Sequence, residues 1–121
     1  MPLRISMRRL SDVNVVDLDG RLIIGPESEA LSEKLKELSH QGARKILVNL
    51  EKVTQLDSSG ICSLLQGYTA MKQAGGSFKL LHPGGHTREV LEVMRLTETI
   101  PTLDDEAQAL ASFVSAAPPV R

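Results

Sequence analysis

The chain is nearly devoid of aromatic residues, with one Tyr, two Phe and no Trp in 121 residues. Tyr68, Phe78 and Phe113 are too few and too scattered to stack successive bases, which argues against a single-strand nucleic-acid platform. Neither sign of charge dominates. Fourteen Lys and Arg against fifteen Asp and Glu give a net charge of −1, and they are spread along the chain. Phosphate backbones call for a concentrated basic face, so direct nucleic-acid binding is not expected. The single cysteine, Cys62, rules out an intrachain disulfide and fits a reducing compartment. It reads as a small, partly buried hydrophobe. No apolar run approaches the roughly 20 residues of a membrane-spanning helix. Arg4, Arg8 and Arg9 occupy the stretch where a signal peptide would place its apolar core. The expectation is a soluble, cytoplasmic protein with no membrane insertion.

What is present is ordinary for a globular domain: 41% hydrophobic and 24% charged residues, enough to bury a core without covalent staples. The reading is a single domain over 1–121, with its core at about 3–114. Ala116-Ala117-Pro118-Pro119 marks 115–121 as a flexible tail.

Periodicity organises the rest. Leu3, Ile5 and Met7 alternate with Arg4, Ser6 and Arg8 as in a half-buried strand. Ser11-Asp12 turns the chain into a second strand over about Val13 to Leu18, with a turn signal at Asp19-Gly20. Gly25-Pro26 opens a helix whose buried stripe is Leu31, Leu35 and Leu38. Ile46-Leu47-Val48 with Leu50 reads as a short strand buried on both faces. Ile61, Leu64, Leu65, Tyr68 and Met71 share one face of a second helix, ended by Gly75-Gly76. Phe78 to Leu81 is another strand, followed by a loop at His82-Pro83-Gly84-Gly85. A third helix turns Val90, Leu91 and Met94 inward. Ile100 falls on a short edge segment broken by Pro101. Asp105 and Gln108 form a capping pair for a last helix with Leu110, Ala111 and Val114 inside. Strands alternating with helices imply parallel βαβ units joined to an N-terminal hairpin. The fold class is α/β: a mixed four- to five-stranded sheet with about four helices.

The chemistry concentrates at Asp57-Ser58-Ser59-Gly60, where a strand passes into a helix. Amide groups at a helix start lack intrahelical acceptors, and the helix dipole places partial positive charge there. A hydroxyl at this place can carry an anion, and a phosphate would meet backbone donors without refolding. Gly60 leaves room for close approach by a partner or by the phosphate. Taken alone, these four residues equally describe ordinary helix capping.

The surroundings say more. Ile46 through Leu50 and Val53, then Leu56-Asp57-Ser58-Ser59-Gly60-Ile61, resemble the central motif of the anti-sigma factor antagonists, bacterial members of the STAS domain family. The likeness continues through Lys72-Gln73-Ala74-Gly75-Gly76, Val90-Leu91 to Leu96 and Ala109 to Phe113, and includes Asp19 to Leu22. It covers about residues 3–114. It implies the STAS fold and phosphorylation at Ser58, with Ser59 as runner-up acceptor. It implies an anti-sigma factor that is itself a serine kinase as partner, and a metal-dependent serine phosphatase that resets the switch. ATP and Mg²⁺ would belong to the kinase, so no cofactor of this chain's own is implied. Family resemblance also favours a monomer that forms heterocomplexes.

Asp57 is carried over as the acid beside the acceptor, orienting the Ser58 hydroxyl, capping the helix, or both. Ser59 supports the helix start. The small residues Ser63, Gly67, Ala70 and Ala74 read either as tight internal packing or as a helix face on which a partner docks. Where many family members carry a polar residue after the second strand, this chain has Leu22-Ile23-Ile24-Gly25-Pro26. That loop flanks the phosphorylation site in the family fold, which places Ile24 with Asp57, Ser59, Gly60, Ser63 and Gly67 as partner-binding candidates.

Two other readings stay open. One is a STAS adaptor that is never phosphorylated, in a sensor complex or a membrane transporter. The other is a serine hydrolase, disfavoured because the motif is not Gly-x-Ser-x-Gly and no Ser, Asp, His order stands out. His82 and His86 lack the further ligands a zinc site needs. Neither Gly75-Gly76 nor Gly84-Gly85 precedes the Lys-Ser or Lys-Thr of a nucleotide loop.

Overall fold

The computed structural model describes residues 3–114; the expected tail at 115–121 lies outside them. The strands are β1 (Arg4–Leu10), β2 (Val13–Leu22), β3 (Lys45–Leu56), β4 (Ser77–Leu81) and β5 (Thr102–Leu103). They form one sheet in the order β1-β2-β3-β4-β5, with β1 antiparallel to β2 and the remaining neighbours parallel. The helices are α1 (Pro26–His40), α2 (Ser58–Gln73), α3 (Gly85–Val93), the single turn α4 (Leu96–Thr99) and α5 (Glu106–Val114). Among the described residues there are thus five helices rather than about four, the extra one being α4.

Alternation along the strands splits the core in two. Val16, Leu18 and Leu22 of β2 join Leu31, Leu35 and Leu38 of α1 and Ile61, Leu64 and Met71 of α2 in the larger cluster. Val13, Val15 and Leu47 point the other way, onto Ala109 and Phe113 of α5. Helices therefore cover both sheet faces, which is what lets Ile46-Leu47-Val48 be apolar without alternation.

Four expectations need correction. Asp19-Gly20 is not a turn but lies inside β2, which runs on to Leu22 beside Leu56. β3 is not short: it reaches Leu56, with two irregularities in its pairing to β2. Each inserts one extra residue on β3, so Leu50, Val53 and Leu56, three residues apart, all enter the larger core cluster. That spacing hides a strand from a period-two search. Met94 is 52% exposed at the end of α3, and Thr87, which donates to the Val53 carbonyl, takes the buried place. Ile100 is fully buried behind α4, and the edge strand is Thr102–Leu103 instead.

The inner face of α5 also differs. Ala109 and Phe113 are buried and Ala111 is exposed, because the largest side chain takes the sheet-facing position. Leu110 packs at the margin, and the Val114 side chain lies outside the described part. Asp105 caps α5 as expected, accepting from Gln108 N–H at 2.9 Å. Lys79 reaches across from β4, its Nζ 4.7 Å from the Phe113 ring centre and 2.7 Å from Ser112 Oγ. Burial lowers the Lys79 pKa. Arg8 bridges Asp17 of β2 and Glu106 of α5, at 2.6 and 2.8 Å.

Candidate functional site

Parallel β2 and β3 end side by side at the Leu22–Leu56 pair. The loop entering α1 and the corner entering α2 consequently lie together, at the carboxyl ends of the strands where open α/β sheets place their sites. After β2, Gly25 adopts φ 116° and ψ −153°. Only glycine enters this region without strain, and Pro26 follows as the first helical residue.

At the corner itself Asp57 is extended and caps α2. Its Oδ1 accepts the N–H groups of Ser59 and Gly60, at 3.0 and 3.1 Å. Its Oδ2 accepts the N–H of Ile24, at 2.9 Å, from 33 residues away. The Asp57 backbone completes the join, its N–H donating to the Leu22 carbonyl and its carbonyl accepting Ile61 N–H. Of the two roles open to Asp57, the geometry places its carboxylate on the cap and on the neighbouring loop.

Ser58 is the first residue of α2 and is exposed. Ser59 is half-buried and turns toward α1, where it lines a shallow groove with Ser28, Ser32, Lys36, Cys62 and Gln66. Cys62 is exposed rather than partly buried, because it points away from the Ile61 and Leu64 stripe. Ile24 is 73% exposed.

The remaining candidates turn inward. A Cβ on Gly60 would lie 2.5 Å from the Leu22 carbonyl oxygen and 2.8 Å from Leu56 Cδ1. The close approach that Gly60 permits in the folded chain is to the strand ends of its own domain. A Cβ on Gly67 would meet Leu35 and Phe78 at 2.7 and 2.8 Å. Ser63 is buried, donating to the Ser28 carbonyl at 2.9 Å and accepting from Ser32 Oγ at 2.9 Å. Of the two readings of the small-residue stripe, internal packing of α2 on α1 and β4 accounts for Ser63 and Gly67. Ser63 and Gly67 also line a groove between α1 and α2 with Ser32, Gln66 and Ala70, while Ser58 and Ile24 are exposed and Asp57 and Ser59 half-buried at the corner.

Ser28 and Ser32 join the site only through the fold. Their serine pair at i, i+4 on α1, facing Ser63, was the signal available. Among the described residues no group of three or more His, Cys, Asp or Glu could hold a metal ion, and no helix is long and apolar enough to cross a membrane.

Comparison with known proteins bears on the family and the fold. A family model described as "Mlab, STAS domain" matches residues 5–104. BtrV of Bordetella bronchiseptica, named as an anti-sigma factor antagonist, is 22% identical over 116 residues, covering 96% of this chain and 99% of BtrV. The crystal structure of a Thermotoga maritima protein named as an anti-sigma factor antagonist superposes with a TM-score of 0.86 at 20% identity, covering 91% of this chain and 94% of that one. The Bacillus cell fate determinant SpoIIAA in its phosphorylated form gives a TM-score of 0.71 at 23% identity, covering 90% and 98%. At these identities the structural likeness is one of fold.

Proposed function

The chain belongs to the STAS domain family, and from that premise we propose that it is an anti-sigma factor antagonist switched by phosphorylation of Ser58. It binds an anti-sigma factor serine kinase while unphosphorylated and releases it when phosphorylated. The supporting observation is the exposed Ser58 at the start of α2, directly after the capping Asp57. The names of BtrV and of the Thermotoga protein support the same reading.

In the reaction the Ser58 Oγ bonds to the γ-phosphorus of ATP, the bond from that phosphorus to the oxygen of ADP breaks, and the hydroxyl proton passes to a base of the kinase. The kinase supplies ATP and Mg²⁺; this chain contributes the acceptor and no catalysis. A serine phosphatase hydrolyses the ester and restores the hydroxyl. The helix dipole favours the added anion, but Asp57 already occupies the Ser59 and Gly60 N–H groups. The phosphate thus stays on the surface, where a partner meets its charge.

A phosphoserine carries about −1.5 to −2 charges at neutral pH. Two unit charges about 4 Å apart repel by roughly 4 kcal/mol at an effective dielectric near 20. That corresponds to about a thousandfold in affinity. Bulk and charge at the corner are sufficient, with no refolding of the domain.

The test is intact and fragment mass spectrometry after mixing the chain with ATP, Mg²⁺ and each histidine-kinase-like serine kinase of the source genome. One phosphate on Ser58, absent from Ser58→Ala, is the expected result. Normal phosphorylation of Ser58→Ala would overturn the site, with Ser59 the next acceptor to map. No phosphorylation of the wild type by any of these kinases would favour the adaptor reading instead.

A further inference from the structure

Capping alone does not account for an aspartate at position 57. Ser, Thr and Asn cap helices about as well as Asp. The Asp57 carboxylate, however, takes three N–H donors at once, two from α2 and one from Ile24. An Asn that kept its oxygen on the two helix amides would turn an NH₂ toward the Ile24 N–H, setting donor against donor. Only the carboxylate satisfies all three. The residues joining β2 to α1 are just Ile23, Ile24 and Gly25. Leu22 and Gly25 are fixed at either end, by the sheet and by the helix entry. The Asp57 bond fixes the middle, and with it the direction of the exposed Ile24 side chain.

We propose that Asp57 is a positioning residue for partner recognition: through the Ile24 N–H it locks the loop so that Ile24 and Ser58 present one preset surface. This rests on the partner-switch reading above. Ile24 supplies an apolar contact beside the acceptor hydroxyl, and the partner does not have to order the loop on binding.

Two measurements test it. In the free chain, Asp57→Asn should speed hydrogen exchange at the Ile24 amide about tenfold, as expected for loss of a bond to a charged acceptor. The Ser59 and Gly60 amides should keep their protection. Unchanged exchange at Ile24, or equal loss at all three amides, would overturn the proposal. The second measurement is a double-mutant cycle in affinity for the kinase that phosphorylates the wild-type chain, bound to ADP. Asp57→Asn and Ile24→Ala should each weaken binding about tenfold. The double variant should be no weaker than Ile24→Ala, because Asp57 acts through Ile24. Multiplying losses would show that Asp57 acts on the partner independently and would overturn the proposal. The exchange measurement needs no partner, so a failed tie is distinguishable from failure of the partner-switch reading itself.

Discussion

Replacing Gly60 with Ala adds one methyl group to the third residue of α2, and two opposed effects decide the outcome. Alanine is the better helix former by about 1 kcal/mol. The new Cβ, however, falls 2.5 Å from the Leu22 carbonyl oxygen, 2.7 Å from Leu22 Cγ and 2.8 Å from Leu56 Cδ1. The nearest of these is backbone. The same carbonyl accepts the Asp57 N–H at 3.4 Å, so moving it disturbs the cap as well. Overpacking a core costs about 1–3 kcal/mol, and an immovable carbonyl puts this site at the upper end. The net expectation is a loss of about 1–2 kcal/mol, or about 4–8 °C in Tm for a domain of this size. Urea unfolding followed by circular dichroism measures it. Gly67→Ala should cost less, because its Cβ meets side-chain atoms of Leu35 and Phe78 rather than backbone. A Gly60→Ala variant as stable as the wild type would refute the claim that the α2 start is packed hard against the ends of β2 and β3.

Phe113→Ala should cost about 3–5 kcal/mol, since Phe113 is the largest side chain of the smaller core cluster; a loss under about 1 kcal/mol in the same assay would contradict the docking of α5 on the sheet. Asp17 carries a pH signature. Burial alone would raise its pKa, but bonds from Arg8 and Asn49 outweigh burial and hold it below the ordinary 3.8. Its contribution to stability is therefore complete above pH 3.8 and fades as pH falls through the lower folded value. Asp17→Asn should lose that acid-side slope in urea titrations; identical slopes for variant and wild type would contradict the pairing.

Much of the fold was legible in the residues because helices advertise their buried face. Leu31, Leu35 and Leu38, and Ile61, Leu64 and Met71, recur at helical spacing and are buried. The second half of β3 is hidden in the sequence because its bulges space Leu50, Val53 and Leu56 three apart, with Glu51, Lys52, Thr54 and Gln55 exposed between them. Asp19-Gly20 carries turn chemistry yet sits mid-strand, because the pairing of Asp19 with Arg4 and Lys52 and of Gly20 with Val53 outweighs local preference. At the site, the local part was readable: Asp57 caps its own helix, and Ser58 starts it. What local chemistry cannot reveal is the donor 33 residues away at Ile24, or that Gly60 is small for the sake of Leu22. Both depend on two strand ends meeting in space.

Equilibrium binding of the partner kinase to the unmodified chain and to the chain fully phosphorylated at Ser58 probes the switch at its centre. Affinity should fall about a thousandfold on phosphorylation, with both forms equally folded by amide exchange. Equal affinities for the two forms would contradict the account.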